Sequence, residues 1–298
     1  MDVLESFGDD SPIAAQLRAD RERRRGFYNS PLPKPAQTRV IVVANQKGGV
    51  GKTTSAVNIA AALAEGGLSV LMIDSDPQGN ASTAFGIKKP EGSPSIYQAL
   101  IGELPLAEVM YQSEEFERVK VVPSTIDLAS AEIELIGMDR REFRLRDVLD
   151  EYFDELGNRD AQPDYVIIDS PPSLGLLTLN ALVAAREVLI PIQTEYYALE
   201  GVTQLLNTVG SVKSYLNPDL VVSTILLTMY DKRTNLSQDV AREVREYFPQ
   251  QTLDTEIPRN IRISEAPSFQ RTVIGYDRSS TGAVAYLAAA KELAERGA

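Results

Sequence analysis

"NQKGGVGKTTS" (residues 45–55) decides how this chain reads. A phosphate-binding loop has the pattern G-x-x-x-x-G-K-[ST]. Gly51, Lys52 and Thr53 supply its end, but Gln46 stands where its first glycine belongs, and a second lysine, Lys47, follows at once. Ahead of the loop is "RVIVVAN", an apolar run of strand length. Behind it is "KTTSAVNIAAALAEGG", an Ala-rich helix pattern closed by Gly66-Gly67. Strand, glycine turn, then helix is the setting that makes such a loop credible. Gly48, Gly49 and Gly51 let backbone N–H groups curl around an anion with no side chain in the way. The helix beginning at Lys52 adds its positive end. Lys52 can reach outer phosphates, and Thr53 can offer its hydroxyl to Mg²⁺.

Outward from the loop, further apolar runs at 68–74, 118–124, 164–170, 187–192 and 220–228 alternate with helical patterns such as 199–216, 236–247 and 282–296. Strands that are apolar throughout predict a sheet buried on both faces, hence an α/β, doubly wound, mostly parallel P-loop fold. Ligands of such sheets sit at the carboxyl ends of the strands. Two strand ends there carry acids. "IDSDPQGNAS" places Asp74 and Asp76 two residues apart, on one face if the strand persists. One could hold metal-bound water and the other orient the attacking water; the plainer alternative is that Asp76 only opens an Asp-Pro turn. "DYVIIDSPPSLG" ends its strand on Asp169, the position of a magnesium-side acid in P-loop enzymes.

Composition narrows the chemistry. The 298 residues are 43% hydrophobic and 24% charged, and they include no cysteine and no histidine. Disulfides, thiolate metal sites and cysteine-held iron–sulfur clusters are excluded. Acid–base work is left to carboxylates, lysines and tyrosines. There is no transmembrane run and no signal-peptide pattern, so a cytoplasmic protein is expected. The net charge of −12 speaks against nucleic acid, but residues 103–164 hold seventeen acids against seven bases, while residues 228–298 hold ten of each. The C-terminal quarter can still present a basic face.

Residues 11–26 predict a short helix, capped by Ser11 and ended by Gly26, with a basic cluster at Arg21, Arg23, Arg24 and Arg25. "NSPLPKPAQ" (29–37) reads as an extended linker. Residues 1–37 are thus expected to be a flexible arm and Pro-rich linker, ahead of a single domain over 38–298.

"KGGVGKTT", "DSDPQGNAS", "IIDSPPSLG", "QTEYYALEG", "TMYDKRTNL" and "IPRNIRISEAPS" closely resemble the ParA/Soj chromosome-partitioning ATPases, in order and over roughly residues 39–298. These belong to the deviant Walker A group, which also holds MinD and the nitrogenase iron protein. The group lacks the first Walker glycine and carries a lysine after it. The resemblance implies ATP and Mg²⁺ as cofactors, with ATP contacts from Lys47, Gly48, Gly49, Val50, Gly51, Lys52, Thr53 and Thr54. It implies that Lys47 reaches the partner's phosphates across a face-to-face homodimer, that Lys52 acts in cis and that Asp76 positions water. Thr53 would ligate Mg²⁺ directly, with Asp74 and Asp169 supporting its shell. Pro258 and Asn260 would frame the adenine. Arg233 and Arg262 match positions that hold double-stranded DNA without sequence preference. A ParB-type centromere-binding protein, and a polar scaffold protein, are the implied partners; the expected location is the cytoplasm, on the nucleoid, without stable membrane association. Three alternatives compete. A MinD-like membrane cycle needs an amphipathic basic tail, which "VAYLAAAKELAERGA" is not. An orphan ParA-like ATPase would position another cargo. A non-hydrolysing scaffold is opposed by the intact Lys52, Thr53, Asp76 and Asp169.

Overall fold

The computed structural model describes residues 12–196 and 198–297. Its elements begin with α1 (Pro12–Tyr28), β1 (Arg39–Val43), α2 (Lys52–Glu65), β2 (Val70–Asp74), α3 (Asn80–Ala84) and α4 (Ile96–Ile101). They continue with β3 (Tyr111–Gln112), β4 (Val119–Val122), α5 (Leu128–Glu134), α6 (Arg144–Leu156), β5 (Tyr165–Asp169) and α7 (Leu176–Ala184). The chain goes on through β6 (Glu187–Gln193), α8 (Ala198–Tyr215), β7 (Val221–Thr228) and α9 (Asn235–Tyr247). Last come α10 (Ile261–Glu265), α11 (Val273–Tyr276) and α12 (Thr281–Arg296).

The strands form a seven-stranded sheet in the order β3-β4-β2-β5-β1-β6-β7. Every neighbouring pair is parallel except β3 with β4. That two-residue antiparallel strand blunts an edge and is too short to have shown as a periodic signal. Alternation within the strands explains their unbroken apolar sequences. Ile41, Val43, Met72 and Ile167 enter one core with α2 and α12, while Val40, Val42, Ile73 and Ile168 enter the other with α7 and α8. The alanines have a packing reason. Ala60, Ala61 and Ala64 of α2 and Ala283, Ala289 and Ala290 of α12 are buried where these two helices pack together. The C-terminal helix is therefore a core element.

Register brings the chemistry together. Asp169 pairs with Val43 of β1 on one side and Asp74 of β2 on the other. Two carboxylates and the start of the glycine loop thus share one edge of the sheet.

The N-terminal segment departs from expectation. Gly26 does not end α1, which runs on to Tyr28 because Phe27 is buried in the core beside α12. The prolines do not leave a loose connector either. Leu32 is buried, and its N–H donates to Gly66 O at 3.0 Å. Arg159 donates to Pro35 O at 3.2 Å, and Lys34 lies 3.4 Å from the Asp164 carboxylate. Extended proline-rich backbone leaves carbonyls and side chains free to dock, and here they do. The basic cluster Arg21–Arg25 belongs to α1; the first eleven residues lie outside the described part. Phe27→Ala should lower stability by about 3 kcal/mol, as for other buried aromatic truncations, seen as a reduced denaturant midpoint with no change in slope.

Candidate nucleotide site

The loop after β1 is built by its own glycines and braced from three elements. Gly49 and Gly51 adopt positive φ, 75° and 89°, which a side chain would strain. Gly51 caps α2, and Ser55 N–H donates back to its carbonyl at 2.8 Å. Gly48 and Gly49 are exposed, with open space where side chains would stand. Asn45 is buried and spans two elements: its Nδ2 donates to Pro191 O of β6 at 2.8 Å, and its Oδ1 accepts from Lys47 N–H at 3.0 Å. From β7, the Thr228 hydroxyl donates to Val50 O at 2.9 Å. On α8, Gly201 stands against Lys47, since a Cβ there would lie 3.6 Å from the Lys47 Cβ.

Asn45, Thr228 and Gly201 escaped the sequence reading. Asn45 was findable as a residue whose side chain bonds its own backbone two residues on. Thr228 and Gly201 act over 178 and roughly 150 residues of chain, where no local pattern reaches.

Lys52 is buried, and its Nζ donates to Lys47 O at 3.2 Å. Burial lowers its pKa, while Asp169 and then Asp76 oppose that shift. Lys47 contributes to the loop through its backbone, as donor to Asn45 and acceptor from Lys52. Among the described residues its ammonium makes no hydrogen bond or ion pair.

The three acids differ sharply. Asp169 is fully buried, and among the described residues neither of its carboxylate oxygens has a hydrogen-bond partner. Burial, reinforced by the charge of Asp74, raises its pKa well above the ordinary carboxylate value; the nearby Thr53 hydroxyl and Lys52 favour the ionised form. Asp74 is equally buried but saturated. Its Oδ2 accepts from Ser82 N–H at 2.7 Å and the Ser82 hydroxyl at 2.6 Å, and its Oδ1 from Asp76 N–H at 3.3 Å. Burial raises its pKa against those bonds and the nearby Lys89. Strand β2 stops at Asp74, so alternation does not put Asp76 on the same face. Asp76 lies in the turn that follows, 8% exposed. Its Oδ1 accepts from Gln78 N–H at 3.0 Å, and its carbonyl accepts from Gly79 N–H at 2.9 Å. It does open the Asp-Pro turn, and it also faces Lys52.

These residues fit a magnesium nucleotide. The open glycine cradle suits phosphates, and the two orphaned, buried oxygens of Asp169 suit a bound cation or its water. Among the described residues no group of three acids could cage a metal. Mg²⁺ keeps several waters and takes phosphate oxygens beside few carboxylates. Leaving Asp169 ionised without a cation is costly, so Asp169→Asn should stabilise the ligand-free chain by about 1–3 kcal/mol and lower Mg²⁺-dependent turnover by roughly 10–100-fold. The sign also appears in pH. A folded pKa above the unfolded one means the folded chain binds the proton more tightly. Stability of the ligand-free chain should therefore fall as pH rises from the ordinary carboxylate value towards the raised one. Thermal melting against pH, with the parent sloping and the variant flatter over that window, checks this.

The other expected contacts are placed less directly. Pro258 lies next to Tyr230, with which it forms a short parallel bridge. Asn260 is occupied as the cap of α10: its Oδ1 accepts from Arg262 N–H at 2.8 Å, and its Nδ2 donates to the Thr281 hydroxyl at 2.6 Å. The backbone carbonyl of Thr54 accepts from Asn58 Nδ2 at 2.8 Å within the first turns of α2. The arginines are exposed but not bare. Arg233 grips Asp231 through both its Nε, at 2.9 Å, and its Nη2, at 2.8 Å, and holds that carboxyl well below the usual range. Arg262 pairs with Glu265 at 2.8 Å and Asp277 at 3.5 Å. Arg242, Arg245 and Arg259 pair with Asp239, Glu256 and Glu195. The basic side of the C-terminal quarter is thus internally neutralised.

Known proteins agree with this geometry. The family model described as an AAA domain matches residues 38–222. The chain is 51% identical over 258 residues to the chromosome partitioning protein ParA of Myxococcus xanthus, covering 87% of this chain and 88% of that protein. It is 48% identical over 259 residues to the sporulation initiation inhibitor protein Soj of Bacillus subtilis, covering 87% and 99%. Among solved structures, cobyrinic acid a,c-diamide synthase from Mycobacterium smegmatis, with bound ATP analogue and magnesium, superposes with a TM-score of 0.71 at 38% identity, covering 87% of this chain and 93% of that one. Loop, sheet order, strand-end acids and relatives converge: the chain belongs to the ParA/Soj family of P-loop ATPases with a deviant Walker A loop.

Proposed function

We propose that this chain is a DNA-partitioning ATPase. Its ATP-bound form pairs face to face with a second copy, holds double-stranded DNA without reading sequence, and lets go when a ParB-type partner stimulates hydrolysis. The observation that carries this reading is Lys47, whose backbone completes the loop while its ammonium has no partner among the described residues of its own chain. A cation so placed can act on the phosphates of a second subunit. Supplied in trans, it stabilises transition-state charge only after pairing. The name of the relative from Myxococcus xanthus, a chromosome partitioning protein, supports chromosomal cargo.

Within one subunit the residues divide the work. The glycine loop and the start of α2 direct N–H groups at phosphate oxygens. Lys52 would leave Lys47 O for those oxygens, and Thr53 with Asp169 would hold magnesium, which neutralises charge on the phosphates when bound. Asp74 fixes α3 through Ser82 and thereby the turn carrying Asp76, which would orient the attacking water. Pro258 would pack on the adenine.

DNA would be held through Arg233 and Arg262. Their pairs with acids are exposed, and exposed pairs are worth about 0–1 kcal/mol, so polyphosphate can displace the carboxylates. That predicts weak binding that is lost steeply with salt. The apolar residues Leu287 and Leu293 of α12 are buried, which speaks against a membrane cycle through this helix; no described helix is long and apolar enough to cross a membrane. A location on the nucleoid follows from the DNA-binding reading. The test is retention on non-specific duplex DNA at low salt with ATP, ADP or no nucleotide. Retention greater with ATP, and reduced in Arg233→Ala and Arg262→Ala, is expected; equal retention in all three states would sink the proposal.

A further inference from the structure

A cavity of about 590 Å³ opens between the segment after β7 and the start of α12, and takes one wall from α1, the helix that precedes the AAA-domain match. Its lining includes Tyr230, Pro258, Arg259 and Thr281, together with Asp20 and Arg23 of α1. The volume is in the range of pockets that bury a small organic ligand. Its position is fixed by bonds already described. Thr228, two residues before Tyr230, holds Val50 of the loop. Tyr230 is tied on both sides to the Pro258 strand, its N–H donating to Ile257 O and its O accepting from Arg259 N–H. Tyr286, next to the pocket residue Ala285, lies 3.4 Å from the Ser55 hydroxyl on the first turns of α2. The cavity therefore lies on the β7 side of the loop, away from the acids Asp74 and Asp169 on the β2–β5 side. A nucleotide whose phosphates lie between these two flanks must direct its base towards β7.

We infer that α1 supplies part of the base subsite, with Arg23 and Asp20 as specificity-determining contacts for the purine of the bound nucleotide. This rests on the ATPase reading above and adds the N-terminal segment to it. The chemistry suits a purine. Pro258 offers an apolar ring on one wall. Arg23 carries a planar guanidinium, with its side chain 61% exposed, and such groups pack on ring faces. Asp20 is buried with its Oδ1 3.9 Å from the Arg23 guanidinium, so the two would meet the base as a pair, the carboxylate accepting from an exocyclic amine. The helix is held at this wall by Phe27 and Tyr28. Phe27 is buried in the core, and the Tyr28 hydroxyl donates to Glu65 of α2 at 3.3 Å. Glu65 also pairs with Arg278, just before α12. A segment so anchored cannot move without disturbing α2 and α12, both of which border the site.

Calorimetry of the full chain with Mg-ADP and with Mg-pyrophosphate separates base from phosphate contacts. Arg23→Ala, at an exposed position that leaves the fold intact, should weaken ADP about fivefold, the size of one guanidinium–ring contact. Asp20→Ala should weaken ADP by a similar factor, with melting curves confirming that both variants are folded. Pyrophosphate should bind both variants as it binds the parent. Unchanged ADP affinity in the two variants overturns the inference, and so does an equal loss for ADP and pyrophosphate, which would mean an effect on the loop. The ATPase reading fails by a separate sign: Lys52→Ala binding Mg-ADP as tightly as the parent would remove that reading and this inference together.

Discussion

Lys47→Ala should lower ATP turnover in the presence of DNA and a ParB-type partner by roughly 10³-fold, the scale of a cation supplied in trans to phosphoryl transfer, while stability changes by less than about 0.5 kcal/mol. The separation of the two effects comes from the structure. The two loop bonds of Lys47 run through its backbone N–H and carbonyl, both of which alanine keeps. Its Cβ, against Gly201, is kept as well. What alanine removes is an ammonium with no described partner in its own chain. Nucleotide affinity of the monomer should therefore hold, because Lys52 and the glycine N–H groups remain. Analytical ultracentrifugation with ATP should show the variant failing to form the dimer or forming one that does not turn over. Parent-like turnover would defeat the in-trans role. Lys47→Arg sharpens the test, because a guanidinium keeps charge but not the compact ammonium geometry; partial activity there points to charge, and none points to fit.

The sequence disclosed the frame of this site because its signals are local. A strand buried on both faces needs four or five apolar residues in a row, and each of the six strands expected from such runs is present. The loop is legible because its glycines meet a backbone demand that few residues can satisfy, and two of them do take positive φ. What stayed hidden depends on where distant pieces land. Asp74 and Asp76 look equivalent as letters two apart, yet one is locked by Ser82 while the other sits in a turn. Nothing near either predicts which, because the outcome hangs on β2 stopping at Asp74. The neutralised arginines were half legible. Asp231 is two residues from Arg233, and Glu265 is three from Arg262, a spacing at which charges meet on a helix; Asp277, fifteen residues from Arg262, could not be foreseen. The docked arm was the least legible. Its anchors Phe27 and Leu32 are single apolar residues among charges and prolines, below any periodic signal, and their burial is decided by grooves formed by α2 and α12.

Asp76 offers the second large effect and a way to tell chemistry from scaffolding. Asp76→Ala should reduce hydrolysis by roughly 10²–10⁴-fold, the usual contribution of a positioned carboxylate to proton transfer or water orientation, and leave the ATP-bound dimer persistent on DNA. The structure adds a complication that the sequence could only pose as an alternative. Asp76 Oδ1 also accepts the Gln78 N–H, so alanine loses a turn bond as well as a charge. That turn leads through Gly79 into α3, where Ser82 holds Asp74, and a loosened turn could disorder the acidic edge of the site. Asp76→Asn keeps the Oδ1 acceptor and changes only the charge and one oxygen. If Asp76 orients the attacking water, alanine and asparagine variants should both bind Mg-ATP normally and both lose hydrolysis to a similar extent. If its main task is the turn, asparagine should hydrolyse ATP at near the parent rate while alanine fails, and the alanine variant should melt lower by about 1 kcal/mol of stability, the size of one lost side chain–backbone bond. Single-turnover phosphate release, with nucleotide binding measured on the same samples, distinguishes the two. The expected result is loss in both variants, because Asp76 and Asp169 are the acids that oppose the lowering of the Lys52 pKa, and Asp169 is fully buried at the strand end where the cation would lie.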